Sequence, residues 1–159
     1  MSNVVADTIA ELNEGVDRPR ALTRLRDWRE RVHYLYDQIQ EGLGPEFLYD
    51  RSGKHRTQEG VVQRAGLTRK ETPAIDILRI ERPKGTLKAI IQPRHLWVVG
   101  ANGRLDLIVL RKSGVGRRLF ELFDLSSPMS NLSDWRLVSG GEPLEQPRFT
   151  IEGFRQLLE

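Results

Sequence analysis

The side chains of this 159-residue chain best suited to acid–base or metal chemistry are three histidines, His33, His55 and His95. They stand far apart, in different predicted elements, with no HxxxH or HxH spacing. The chain has no cysteine, so zinc would need the histidines gathered with carboxylates by folding. A metal-dependent nuclease needs an Asp, then a strand carrying an acidic residue and a Lys two apart, which puts both on one face. Asp76, Glu81 and Lys84 come in that order, but Glu81 and Lys84 are three apart across a predicted turn at Pro83-Lys84-Gly85. Asp106 and Glu121 lack a Lys at the needed spacing. "GKHR" offers His55 as a base with Lys54 and Arg56 as phosphate clamps, yet nothing in the sequence brings His55 to His95. "VVGANGR" and "KSGVGRR" lack the GxxxxGK[ST] and GxGxxG spacings and read as turns. No GxSxG elbow is present. No catalytic residue, cofactor or metal site is therefore assigned, and a metal-dependent nuclease ranks a distant third among the functional readings.

Charge is more informative. The net charge is +3, and it is uneven. Residues 1–45 hold 6 Lys/Arg against 8 Asp/Glu, residues 46–100 hold 11 against 6, and residues 101–159 hold 8 against 8. Within the middle third, "RSGKHRTQEGVVQRAGLTRK" (51–70) sets six basic side chains against one acid. A basic segment between near-neutral ends is the footprint of a polyanion-binding surface, DNA or RNA. Lys54, His55, Arg56, Arg64, Thr68, Arg69 and Lys70 are its candidate contacts. Arg20, Arg24 and Arg31, which fall along one flank of a predicted helix, are candidates for a second phosphate-facing edge.

Part of this segment, "TQEGVVQRAGLTR" (57–69), resembles the first helix and turn of the helix-turn-helix of Cro-like bacterial regulators. Thr57, Gln58 and Glu59 open a helix, Val61 is its core contact, Ala65-Gly66-Leu67 forms the turn, and Thr68-Arg69 opens a second helix. The resemblance implies that Thr68, Arg69 and Lys70 face DNA and that Gln58 sits near a phosphate. Val62, Gly60 and Thr72 depart from the pattern, and Pro73 ends the second helix after its first turn.

The elements that must position these residues follow from periodicity. Residues 5–14 read as a short helix with Ile9 and Leu12 turned inward. "VDRPRALTRLRDWRERVHYLYDQIQEGLGP" reads as one long amphipathic helix. Asp17 caps it, Pro19 lies in its first turn, and Gly42, Gly44 and Pro45 stop it. Leu22, Leu25, Trp28, Val32, Leu35, Tyr36, Ile39 and Leu43 form its apolar stripe. Residues 57–65 read as a short helix capped by Thr57.

After residue 72 the period shortens. "AIDILRIERPKGTLKAIIQ" reads as two strands. "HLWVVGANGRLDLIVL" reads as a hairpin turning at Asn102-Gly103, the favoured pair for a type I′ turn. That turn would set Val98 opposite Leu107, Leu96 opposite Val109, Trp97 opposite Ile108 and His95 opposite Leu110. A Gly-flanked loop at 113–116 leads to "RRLFELFDL", read as a strand. "SDWRLVSGG" is a last strand and "EPLEQP" a loop. "RFTIEGFRQLLE" is a closing helix with Thr150 as N-cap and a Phe149–Phe154 staple, docked by Phe154, Leu157 and Leu158.

The expected fold is α+β. N-terminal helices, one of them long, precede an antiparallel sheet of about five to six strands and a short C-terminal helix. It forms a single domain over 1–159, with a seam between a helical part (1–72) and a sheet part (73–159). The absence of cysteine, of a leader-like N-terminus and of any apolar run near the roughly 18 residues of a membrane span points to a cytoplasmic protein without a membrane partner. The first functional expectation is a small non-enzymatic nucleic-acid-binding protein using residues 51–70. The alternative is a protein-interaction or adaptor module, or a homodimer, that docks through the long helix.

Overall fold

Asp17 begins the element against which the rest of the chain packs. Its side chain accepts a hydrogen bond from the Arg20 N–H at 2.9 Å, satisfying one of the helix's orphan donors, and Pro19 occupies the first turn at no cost in hydrogen bonds. In the computed structural model, which describes residues 3–111, 116–130, 132–139 and 146–159, this helix (α2) runs Arg18–Leu43. It ends at Gly44, whose φ of 72° lets its N–H turn back to the Gln40 carbonyl. A preceding helix, α1, spans Asn3–Glu14. Ile9 of α1 was expected to face inward and instead stands 40% exposed; α1 meets the body through Thr8 and Leu12, on the stripe beside it.

Among the described residues, eight strands and two short helices follow α2. They are β1 (Leu48–Asp50), β2 (Lys54–His55), α3 (Gly60–Arg64), β3 (Ile75–Asp76), β4 (Leu78–Glu81), β5 (Leu87–His95), β6 (Arg104–Leu110), β7 (Arg117–Asp124), β8 (Trp135–Val138) and α4 (Ile151–Leu158). Six strands form one antiparallel sheet in the order β1-β4-β5-β6-β7-β8; β2 and β3 form a separate two-stranded ribbon. The alternation expected of a half-buried antiparallel sheet is clear in β4 and β6. Leu78, Ile80, Ala89, Ile91, Leu105, Leu107, Val109, Phe120 and Leu122 turn to the core. There they meet Leu25, Trp28, Val32, Tyr36 and Ile39 of α2, and Phe154 and Leu158 of α4. The helix stripe read from the sequence is thus buried against this chain's own sheet. α4 has the expected Thr150 cap and Phe149–Phe154 contact, with ring centroids 5.6 Å apart. It crosses α2 so closely that a Cβ on Gly42 would lie 2.6 Å from Ile151.

The β5–β6 connection differs from the expected Asn102-Gly103 hairpin. His95 lies opposite Arg104, Ile90 opposite Ile108 and Ile91 opposite Leu107. The tight turn is instead Val98–Ala101, with Gly100 at φ 88°. Two tertiary interactions override the local turn preference. Glu59 takes the next two amides of the would-be strand, Leu96 N–H at 2.9 Å and Trp97 N–H at 2.8 Å. Asn102 is drawn into the core, where its side chain accepts from Arg24 at 2.7 Å and its carbonyl accepts from Arg31 at 2.9 Å. The loops expected at 113–116 and over "EPLEQP" fall largely outside the described residues.

Candidate functional site

The β2–β3 ribbon is fastened to α2 through one residue, Asp76. Its backbone N–H donates to Nε2 of His33 at 3.0 Å, and its carbonyl accepts from the Tyr36 hydroxyl at 2.8 Å. His33 and Tyr36 are three apart on α2 and stack with ring centroids 6.2 Å apart. They therefore act as a substitute strand for Asp76. The Asp76 carboxylate takes Arg51 Nε at 2.8 Å on Oδ2 and Lys54 Nζ at 2.5 Å on Oδ1. Burial opposes its ionisation, but the hydrogen bonds from Lys54 and Arg51 outweigh it and hold the carboxyl below its ordinary range. Arg51 also reaches Asp37 and Gln40 and lies over the Tyr36 ring.

The rest of the basic segment is largely occupied with holding its own backbone. Arg56 donates one nitrogen to the carbonyls of Arg69, Lys70 and Thr72, at 3.2, 3.1 and 3.2 Å. Arg64 donates to the Leu12 carbonyl at 2.8 Å. Thr68 and Glu71 form a reciprocal cap, with Thr68 N–H donating to the Glu71 carboxylate at 3.1 Å. His55 is half-buried, and burial lowers its affinity for a proton. α3 is five residues long and starts at Gly60, three residues later than expected. Thr57 bonds Glu59 rather than capping the helix. Gly66, at φ 78°, reverses the chain, and residues 68–72 then close a single turn.

That turn presents Arg69 and Lys70 outward. Both are exposed, and neither side chain has a hydrogen bond or ion pair among the described residues. The turn is tied to the start of α2 by Arg18, which donates to the Gly66 carbonyl at 3.0 Å and pairs with Glu71. Arg29 lies three turns further along α2, about 20° from Arg18 by helical phase, and Arg26 is the next position round. Arg26 is exposed and Arg29 half-buried, and they too have no hydrogen bond or ion pair among the described residues. Four cations from two elements, Arg26 and Arg29 on α2 and Arg69 and Lys70 on the turn, are thus without a partner among the described residues.

The flank read from the sequence as a phosphate edge lies on the other side of α2. Arg24 is fully buried and Arg31 is 7% exposed. Arg24 pairs with Glu11 at 3.1 Å and with Asn102. Arg31 bridges Asp27 at 2.9 Å, the Asn102 carbonyl and the Asp124 carboxylate. Arg20 is at the surface, 3.7 Å from Glu11. The sequence could have pointed to Arg26 and Arg29 only through phase. They lie on the Arg18–His33 side of α2, whereas Arg20, Arg24 and Arg31 lie on the side facing Asn102 and Asp124.

The nuclease triplet is not assembled. Asp76 is saturated by Arg51 and Lys54; Glu81, five residues on along extended chain, is about 16 Å away. Glu81 lies 3.8 Å from Arg79. Among the described residues no group of three His, Asp or Glu converges as metal ligands would. A cleft of about 650 Å³ between α2 and the β7–β8 connection is lined by Asp27, Arg31, Tyr34, Asp134, Trp135 and Arg148, among others. Its two cations are already paired, Arg31 with Asp27 and Arg148 with Asp134, so it holds no surplus cation for an anionic ligand. No helix among the described residues is long and apolar enough to cross a membrane. No family model, curated protein or solved structure matches the chain.

Proposed function

We propose that this chain is a non-enzymatic nucleic-acid-binding protein that grips the phosphate backbone with Arg26, Arg29, Arg69 and Lys70. The observation that carries this reading is the combination of those four unpaired cations with the Arg18 tie that sets their two elements side by side. Such a surface supplies salt-dependent affinity and positions a backbone; it holds no built reader of base edges. Lys54, Arg56 and Thr68 serve the surface indirectly, by fixing the ribbon and the turn, whereas Arg64 ties α3 to the Leu12 carbonyl of α1. The interaction-module reading has less support, because the apolar stripe of α2 through which it would dock is buried under the sheet.

The test is fluorescence anisotropy with labelled 20-mer single- and double-stranded DNA and RNA over a salt series. Four phosphate contacts predict a slope of log affinity against log salt of about −3 to −4. Replacing the four cations by Ala should abolish binding while leaving the circular dichroism spectrum and melting temperature unchanged. A wild-type protein that retains none of these probes at low salt overturns the proposal.

A further inference from the structure

We propose that His33 is a proton-operated latch that decides whether Lys54 is held by Asp76 or released to the nucleic-acid surface, an inference that rests on the reading of that surface given above. In the structure Nε2 of His33 accepts the Asp76 N–H at 3.0 Å. A ring that accepts at Nε2 is neutral and carries its proton on Nδ1. A proton taken up from solvent at Nε2 turns that acceptor into a donor facing another donor, and the Asp76 N–H bond is lost. The nearest acceptor for the new N–H is Oδ1 of the same Asp76, 3.6 Å from Nε2. Oδ1 is the oxygen that now holds the Lys54 ammonium.

Asp76 would then face three cations: His33, Arg51 and Lys54. Arg51 is retained, because Asp37 and Gln40 also bind it and the Tyr36 ring lies under it. Lys54 has a side chain 52% exposed, and its other contact is the Arg51 carbonyl at 3.2 Å, so water solvates it readily on release. It is the cation that leaves. Burial of the ring lowers its proton affinity, Asp76 raises it, and Arg51, Arg29 and Lys54 lower it further, with the balance below the ordinary value. Acidification thus adds one positive charge, and because the imidazolium takes the place of Lys54 on Asp76, that charge emerges at the border of the ribbon as the freed Lys54 ammonium.

The latch is tested on the protein alone and then with a labelled 20-mer of single-stranded DNA. By NMR from about pH 7.5 to about pH 5.5, the range in which histidine charges, the Asp76 amide and the Lys54 Nζ should titrate with the midpoint of the His33 ring. Both should be flat in His33→Gln, whose amide oxygen accepts the Asp76 N–H at every pH. An Asp76 amide that stays flat while His33 titrates overturns the latch. In the binding arm, acidification should steepen the salt slope of the wild type by about one counterion more than that of His33→Gln. For Lys54→Gln the excess should vanish, and an excess retained in Lys54→Gln overturns the latch. The His33→Gln reference removes the contributions of His55 and His95. Equal steepening in wild type and His33→Gln also overturns the latch. If no oligonucleotide binds at either pH, the nucleic-acid reading falls, and the amide titration decides the latch by itself.

Discussion

The guanidinium of Arg56 lies beneath the turn that carries Arg69, donating to the Arg69 carbonyl and to the carbonyls of Lys70 and Thr72 from a single nitrogen. A cation counted from the sequence as a phosphate contact is thereby a clamp for two others. Arg56→Ala should lower stability by about 1–3 kcal/mol, the usual consequence of leaving acceptors of a charged donor unpaired. It should also weaken oligonucleotide binding although Arg69 and Lys70 remain. Arg56→Lys keeps the charge but not the planar fork, and should recover less than half of either loss. Denaturant melts and amide exchange across 69–72 check the first effect, and anisotropy checks the second.

Glu59 replaces a strand partner for Leu96 and Trp97 and also accepts from the Thr57 hydroxyl at 2.7 Å. Glu59→Gln removes the charge and one of the two acceptor oxygens. The expected loss is about 1.5–3 kcal/mol, in line with charge-assisted hydrogen bonds. The Leu96 and Trp97 amides should lose protection from exchange before those of β5. Uniform protection along 87–97 in the variant would count against this role.

Asp124 is fully buried. It neutralises Arg31 on one oxygen and accepts the Ser126 and Asp134 N–H groups at 2.9 Å on the other. Asp124→Ala leaves a buried guanidinium short of a partner and two amides unpaired, so a loss of about 3–5 kcal/mol is expected. Combining it with Arg31→Met should return part of that loss, because the orphaned charge goes with it. A double variant no more stable than Asp124→Ala in urea titration would remove the pair as the cause.

These residues also mark how far the fold was legible. The α2 stripe, its Asp17 cap and the Thr150 cap of α4 are local signals of spacing and residue type, and each formed as expected. The Asn102-Gly103 turn is an equally strong local signal, yet it was overridden by Arg24 and Arg31, 78 and 71 residues away in sequence. The same two arginines explain the misread flank. α2 carries basic residues on both sides of its stripe, and the partners Glu11, Asn102 and Asp124 determine which side is buried. Of the candidate site, Arg69 and Lys70 were legible as exposed cations. Arg26 and Arg29 were not, because their significance comes from the Arg18 contact with Gly66 and Glu71.

Stability should fall on mild acidification. Burial lowers the proton affinity of both His33 and His55 from the ordinary value of 6.5. The folded state therefore binds fewer protons than the unfolded chain between the depressed folded values and 6.5. The stabilisation from keeping both rings neutral is complete above 6.5 and is lost as pH falls through the folded values. Asp76, whose carboxyl is held below 3.8, contributes in the same direction in a lower window. Melting temperature should decline from pH 7 towards pH 5, and a His33→Gln, His55→Gln double variant should flatten the decline. An unchanged decline in the double variant would place its origin elsewhere.

Gly103 and Gly100 allow packing to be separated from backbone strain. Both have positive φ, 118° and 88°, in the same connection. A Cβ at Gly100 would meet nothing within 4 Å, whereas a Cβ at Gly103 would lie 2.7 Å from Nε1 of the buried Trp28. Gly100→Ala should therefore lose only the cost of a left-handed alanine, about 1–2 kcal/mol. Gly103→Ala adds the displacement of a core indole in the middle of α2. Overpacking of that kind is expected to add about 1–3 kcal/mol. Trp28→Phe shortens the ring where the clash falls, so it should relieve Gly103→Ala while leaving Gly100→Ala unaffected. A thermodynamic cycle of the four variants measures that coupling. A coupling at Gly103 no larger than at Gly100 would mean that the close approach of β6 to Trp28 does not hold the connection in place.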